Sequence, residues 1–71
     1  MTEIESFGQW RVYDYGIVGL MPSVSAYDLT KADILSKTAE GWISHMAEKN
    51  WVNLGEFTAA LEFYRKYFIK D

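Results

Sequence analysis

The chain has no cysteine and a single histidine, His45, among its 71 residues. Without cysteine there is no disulfide framework, no thiolate nucleophile and no cysteine-bound zinc. A zinc site needs three or four ligands, and the nearest helical carboxylate to His45, that of Glu48, would supply only one more. We therefore expect the protein to bind neither a metal nor another cofactor.

Catalytic signatures are also missing from the sequence. The five glycines do not have the spacing of a phosphate-binding loop. Ser44 is the hydroxyl nearest to His45 along the chain, but neighbouring residues point about 100° apart around a helix, which does not suit a nucleophile and its base. The sequence predicts that the protein is not an enzyme.

Basic residues are few, since seven Lys and Arg stand against ten Asp and Glu and give a net charge of −3. A dedicated binder of phosphate backbones normally carries a basic stripe, which this balance does not favour. The N-terminus has no basic segment of the kind that begins a signal peptide. The longest apolar run near it, IVGLM, is far shorter than the ~18 residues that span a bilayer. We expect a soluble, cytoplasmic protein that does not contact a membrane.

Aromatic residues, in contrast, are abundant, at 17% of the chain. A chain of this length buries only about 60% of the surface that its unfolded form exposes, so its core has to be rich. Each buried aromatic side chain removes about 150–250 Å² from water, and a few of them can replace disulfides or a metal. The composition predicts a single domain over residues 1–71 with an aromatic core.

The first half of the chain has the pattern of β-strands. In QWRVYDYGIVGL, Trp10 and Val12 alternate with Arg11 and Tyr13. YDYG then suits a three-residue hairpin loop in which Gly16 takes a positive φ. After a turn at MPSVS, AYDL can add a third short strand. Residues 9–29 are therefore predicted to form a small antiparallel β-hairpin or three-stranded sheet.

The second half has helical signals. Thr30, with Asp33 three residues later, resembles a capping box that begins a single turn. A short helix is predicted over about 40–50. Asn53, followed by Glu56, then begins a longer helix over about 54–69. The predicted fold class is α+β, with the sheet packed against this C-terminal helical hairpin.

One side of the first of these helices is predicted to face the core, and it consists of Trp42, Ile43, Met46, Ala47 and Asn50. His45 and Lys49 lie just beyond the Trp42 edge of that face. The lysine stem can lie over an indole, and Trp51 is predicted to fill the corner between the two helices. We therefore interpret Trp42, His45, Lys49 and Trp51 as a structural corner.

The segment GWISHMAEKNWVNLGEFTAAL resembles a pattern in small uncharacterised proteins of bacteria and their phages. In that pattern, W-x2-H-x3-K-x-W precedes an aromatic-containing helix. The resemblance covers roughly the C-terminal third of the chain and is carried by Trp42, His45, Lys49, Trp51, Phe57 and Ala60. It implies that these residues form one structural unit and that the protein belongs to a phage or other mobile element. It implies no catalytic residue.

The last helix has more aromatic surface than an inward stripe requires. That stripe is predicted to consist of Phe57, Ala60, Leu61, Tyr64 and Phe68. Phe63 and Tyr67 lie on its flank and widen the apolar arc. Either the β-hairpin or the N-terminal IESF segment covers them, or they are exposed as a protein-contact surface.

The predicted function is a small protein-interaction module, more narrowly a phage or mobile-element protein that binds and inhibits a host protein. Its partner would be a host target or a second copy of the chain. The alternative is an accessory nucleic-acid-binding protein that uses Arg65, Lys66 and Lys70 with tyrosines as stacking groups. Clustering of these cations with Arg11 on one face would favour that alternative. The candidate partner-binding residues are Phe63, Tyr67, Tyr13, Tyr15 and Arg65.

Overall fold

A computed structural model describes residues 3–20 and 26–69, so the predicted turn at MPSVS lies outside the described residues. Four strands are followed by three helices. The strands are β1 (Glu5–Phe7), β2 (Trp10–Tyr13), β3 (Gly16–Leu20) and β4 (Ala26–Thr30). The helices are α1 (Lys31–Leu35), α2 (Ala39–Met46) and α3 (Leu54–Phe68).

The strands form one antiparallel sheet in the order β1-β2-β3-β4. Helix α3 packs across β1, β2 and β3, and α2 packs against α3. The predicted α+β fold is therefore confirmed. The three described helices pack on one face of the sheet, and we call the opposite face, which carries Arg11 and Tyr13, the open face. The sheet has one strand more than the sequence predicted, since β1 precedes the predicted hairpin.

Strand β1 was missed because its three residues, Glu-Ser-Phe, show no alternation of apolar and polar side chains. Its pairing places Phe7 opposite Trp10, so only Gly8 and Gln9 connect the two strands. Gly8 has a φ of 61°. A glycine with positive φ at the first position of a two-residue loop is typical of type II′ hairpins. The dipeptide Gly8-Gln9 was therefore the sequence signal that could have predicted the hairpin of β1 and β2.

The β2–β3 connection is shorter than predicted. Tyr13 pairs with Gly16, which leaves a loop of two residues rather than three. Gly16 has the expected positive φ, 154°. A Cβ at this position would lie 2.0 Å from the carbonyl oxygen of Leu29 on β4. Glycine is required here both by the backbone conformation and by the close approach of the neighbouring strand.

The core lies between the helix-facing side of the sheet and the three helices. Trp10 and Val12 are fully buried on that side of β2, as their alternation with Arg11 and Tyr13 predicts. The Trp10 ring packs against Phe57 of α3, with 4.9 Å between ring centroids. The predicted stripe of α3 is confirmed, since four of its five residues are fully buried: Phe57, Ala60, Leu61 and Tyr64. Phe68, the fifth, is half-buried.

The start of α1 is confirmed, and the end predicted for α2 is wrong. Thr30 and Asp33 form the reciprocal capping box at the start of α1. Helix α2 ends at Met46 rather than near Asn50. Beyond it, the Lys49 N–H donates to the carbonyl of Met46, three residues back, so the chain tightens into turns instead of continuing the α-helix. Ala47 and Asn50, predicted on the core face, are exposed.

Helix α3 begins where predicted, but its predicted capping box is only half formed. Gln9, which is distant in sequence, replaces the other half. The Asn53 side chain accepts from the Glu56 N–H. The Glu56 carboxylate, however, accepts from the backbone N–H of Gln9, at 3.1 Å. The Gln9 side chain in turn accepts from the N–H of Asn53, at 2.8 Å. The β1–β2 turn therefore satisfies two polar groups at the start of α3.

Tyr64 connects α3 to the β2–β3 turn. Its ring is fully buried, and its hydroxyl donates to the carbonyl oxygen of Asp14 at 3.0 Å. Burial, with a smaller contribution from the negative charge of Asp14, raises the pKa of the Tyr64 hydroxyl above its ordinary value of 10.0. The folded state therefore favours the neutral phenol more strongly than the unfolded chain does.

We predict that Gly16→Ala lowers the free energy of unfolding by about 1–3 kcal/mol or more. Alanine would be strained at this φ and would clash with the Leu29 carbonyl. Gly41→Ala is the matched control. Gly41 lies inside α2, where a Cβ would meet its nearest neighbours at 3.4 Å or more. Alanine there should stabilise the protein by about 0.5–1 kcal/mol. Denaturant unfolding measures both changes, and equal effects would contradict the predicted role of Gly16.

We predict that Tyr64→Phe reduces stability by about 0.5–1.5 kcal/mol at neutral pH, through loss of the hydrogen bond to Asp14. The raised pKa of Tyr64 gives the parent protein a stabilisation that is complete below the ordinary tyrosine value of 10.0 and is lost as pH rises through the folded-state pKa. The deficit of Tyr64→Phe should therefore shrink above pH 10. Denaturant unfolding across this range tests it, and a constant deficit would contradict the coupling.

Candidate functional site

An aromatic pair on the side of α3 is the most exposed apolar feature of that helix. Phe63 and Tyr67 stack with 5.4 Å between ring centroids and an interplanar angle of 18°. The ring of Tyr67 also contacts Phe68, at 4.8 Å. Phe63 is half-buried, whereas Tyr67 is 57% exposed. Tyr67 is therefore held by aromatic neighbours while most of its surface faces solvent.

Phe63, Lys66 and Tyr67 together line a shallow depression of about 200 Å³, which we call the α3 flank. Its walls are the two stacked rings, and the exposed Lys66 supplies a positive charge beside them. Aromatic residues are enriched at the centre of protein interfaces and among the residues that contribute most to binding, whereas a lysine is more typical of the polar rim.

Phe63 and Tyr67 were predicted to be either covered or exposed, and the structure shows Phe63 partly covered and Tyr67 exposed. The ring of Phe7 on β1 packs against Phe63, with 5.6 Å between centroids, so the N-terminal IESF segment does cover part of the pair. Tyr67 lies one helical turn further along α3 and stays largely exposed. The aromatic surface exposed at the α3 flank is therefore smaller than it would be if both rings faced solvent.

A second aromatic pair lies at the opposite face of the sheet. Tyr13 and Tyr15 stack almost parallel, at 5.4 Å and 6°. Partial desolvation is the main cause that raises the pKa of the Tyr15 hydroxyl, and the nearby Asp28 carboxylate is the second. Tyr13 and Asp14 make smaller contributions. The surroundings of this stack are therefore acidic, which disfavours the approach of a phosphate.

Arg65, predicted as a candidate partner-binding residue, is engaged with the backbone of α1. Its guanidinium Nη2 donates to the carbonyl of Ile34, at 2.6 Å, and to that of Lys37. These carbonyls lie at and just beyond the C-terminal end of α1, where backbone acceptors lack partners within the helix. Arg65 therefore fastens α1 to α3 rather than lining the α3 flank.

The cations considered for nucleic-acid binding are separated in the structure. Arg11 lies on the open face of the sheet, where it pairs with Glu3 at 3.1 Å and donates to the carbonyl of Gly8. Arg65 is engaged with α1, and Lys66 lies at the α3 flank. Lys70 is outside the described residues. The three described cations thus occupy three different parts of the surface.

The predicted structural corner is organised around Tyr27, which the sequence did not single out. Trp42 is 5% exposed and meets His45 edge-on, with 5.7 Å between ring centroids. The His45 Nε2 lies 3.4 Å from the Tyr27 hydroxyl. Trp51, only half-buried, contacts the ring of Tyr27 at 6.3 Å.

Lys49 does not lie over an indole as predicted, and Lys37 takes that place. Lys37 lies over the Trp42 ring, with its Nζ 4.4 Å from the ring centroid. The Nζ of Lys49 is instead 6.0 Å from the ring centroid of Tyr27. Tyr27 shares the helix-facing side of β4 with the buried Leu29, and this alternation was the signal that could have identified it.

Within residues 3–20 and 26–69, no group of three or more His, Asp or Glu side chains has the placement of a metal site. No helix in these ranges is long and apolar enough to cross a membrane.

No protein-family model, curated protein or solved structure matches the chain. The resemblance of residues 41–61 to small bacterial and phage proteins therefore stays a prediction.

We predict that Arg65→Gln lowers the free energy of unfolding by about 1.5–3 kcal/mol, because hydrogen bonds from a charged group to the α1 carbonyls are lost. Lys66→Gln is the adjacent control, and as an exposed substitution it should change stability by less than about 0.5 kcal/mol. Thermal or denaturant unfolding of the two variants makes the comparison. Equal stabilities would show that the Arg65 contacts contribute nothing to the fold.

Proposed function

We propose that this chain is a small protein-interaction module and that its partner binds at the α3 flank. The observation that carries the proposal is the exposure of Tyr67, a large aromatic side chain held in a fixed stack with Phe63 and next to Lys66. Leaving such a ring in water forgoes the free energy that its burial would provide. A partner that covers it would recover this free energy.

The stacking of Tyr67 also favours binding for an entropic reason. Association has to immobilise flexible side chains, at about 0.5–1.5 kcal/mol for each side chain with many rotamers. Tyr67 is already flanked by Phe63 and Phe68, so its ring has fewer conformations to lose. This preorganisation is typical of aromatic anchor residues in binding surfaces.

A stable interface usually buries about 800 Å² on each partner, which is far more than one exposed tyrosine offers. We therefore propose that the α3 flank is the centre of the contact and that polar residues around it form the rim. The partner is a protein with an apolar side chain or cleft to receive Tyr67, and a carboxylate facing Lys66 would complement the site.

Three observations support binding to a protein over nucleic-acid binding or catalysis. The separation of Arg11, Arg65 and Lys66 and the acidic surroundings of the Tyr13–Tyr15 stack both disfavour a nucleic-acid surface. The only side-chain partner of the His45 ring nitrogens among the described residues is the Tyr27 hydroxyl, which favours binding over catalysis. The narrower hypothesis of a phage protein that inhibits a host protein depends on the sequence resemblance and guides the choice of lysate.

We predict that Tyr67→Ser abolishes retention of the partner by the tagged protein in bacterial lysate at moderate salt. Leu35→Ser is the matched control, since Leu35 lies on α1 and is 56% exposed, almost the same as Tyr67. It should retain the partner, because it removes a similar apolar surface elsewhere. Nuclease treatment of the lysate should leave the retained protein unchanged.

The experiment also separates the possible partners. A partner lost with Tyr67→Ser and kept with Leu35→Ser supports the α3 flank, and sedimentation of the purified chain shows whether that partner is a second copy. Equal loss with both variants would indicate nonspecific apolar adhesion and contradict the proposal. Recovery of nucleic acid that disappears as salt rises would move the assignment to the alternative function.

A further inference from the structure

Tyr27 on β4 is the meeting point of three residues from the segment 42–51. The His45 Nε2 lies 3.4 Å from its hydroxyl. The Trp51 ring packs beside its ring, at 6.3 Å, and the Lys49 Nζ lies 6.0 Å from the same centroid. All four side chains are half-buried, so each has part of its surface in contact with solvent. The turns that follow α2 thus bring polar and aromatic groups together around one tyrosine.

This cluster carries positive charge without a matching carboxylate. Among residues 3–20 and 26–69, the ion pair present is that between Arg11 and Glu3, on the open face of the sheet. Neither Lys49 nor His45 pairs with an acidic side chain there. In a chain with a net charge of −3, an ammonium that lies over a tyrosine ring and makes no ion pair, near a hydroxyl bonded to an imidazole, is a locally favourable place for an anion.

We propose that Tyr27, Lys49 and Trp51 bind an oxyanion group, a carboxylate or a phosphate, that is attached to a flat apolar body. The Tyr27 hydroxyl and the Lys49 ammonium donate hydrogen bonds to the anionic oxygens. The exposed part of the Trp51 indole packs against the apolar body. Hydrogen bonds to a charged acceptor are stronger than those between neutral groups, so two such donors can fix the ligand's orientation.

His45 acts as a positioning residue in this site. A hydroxyl can donate one hydrogen bond and accept others. When the His45 Nε2–H donates to the Tyr27 oxygen, the hydroxyl proton of Tyr27 stays free for the ligand. His45 therefore orients the donor without touching the anion.

This site is distinct from the surface in the proposed function. Tyr27 belongs to β4 at one edge of the sheet, whereas the α3 flank packs against Phe7 of β1 at the opposite edge. Loss of one site should therefore leave the other intact, and the two proposals can fail separately.

The test is an NMR titration of the ¹⁵N-labelled protein at constant ionic strength, with benzoate and phenyl phosphate as the two anionic probes and benzyl alcohol as the neutral control. We expect saturable shifts of the Trp51 indole N–H and of the Lys49 amide with at least one anion. Tyr27→Phe and Lys49→Gln should each raise its Kd about tenfold, because each removes a hydrogen bond to a charged group. Lys66→Gln, at the α3 flank, should leave the Kd unchanged.

His45 has its own comparison. His45→Gln keeps an N–H donor for Tyr27 and should bind the anion nearly as well as the parent, whereas His45→Leu should bind it less well. In the Tyr27→Phe background, His45→Leu should have no further effect, because the two residues act through one hydroxyl. Unchanged shifts of the buried Trp10 indole N–H verify that each variant is folded.

Three results would overturn the site. They are the absence of saturable shifts with both anions, binding of benzyl alcohol as tight as that of the anions, and an effect of Lys66→Gln as large as that of Lys49→Gln. If both anions bind, the lower Kd identifies whether the site prefers a carboxylate or a phosphate. Either preference supports the proposal.

Discussion

The packing of Trp10 between the sheet and α3 is the constraint on which the rest of the structure depends. Its ring lies over Gly19 of the neighbouring strand, where a Cβ would be 2.8 Å from the indole, and against Phe57 of α3. The absence of a side chain at Gly19 gives the indole its space. The bulk of the indole in turn holds α3 at a fixed distance from the sheet. In so short a chain, one large buried ring supplies a substantial part of the apolar burial that stabilises the fold.

Two polar connections fix α3 around this contact, one at its start and one in its C-terminal half. Gln9, adjacent to Trp10, bonds to Glu56 and to Asn53 at the helix start, and Tyr64 bonds to the β2–β3 turn two helical turns beyond Phe57. These connections and the burial of its apolar side chains determine how the helix is rotated about its own axis, since the fully buried residues have to face the sheet. Tyr67 is exposed as a consequence of that rotation.

Local patterns were sufficient to predict β2, β3, β4, the start of α1 and the start of α3, because alternation and capping chemistry involve neighbours in sequence. They failed where a distant residue decides the outcome. The end of α2 depends on turns that bring Lys49 and Trp51 to Tyr27, more than 20 residues earlier in the chain. Arg65 has the spacing of a solvent-facing residue, yet its acceptors are carbonyls about 30 residues away. The exposure of Tyr67 could be stated only as one of two alternatives, because its cover would have come from β1.

The length and sequence of β1 explain why that cover is incomplete. Alternate residues of a strand face the same side, so Glu5 shares the helix-facing side of β1 with Phe7. Phe7 covers Phe63, but an exposed carboxylate stands where a second apolar residue would have extended the apolar surface along α3. A short edge strand with a charged residue also resists pairing with other chains. The same three residues therefore limit unspecific association through the sheet edge and leave an aromatic ring on α3 exposed, where the proposed partner would bind.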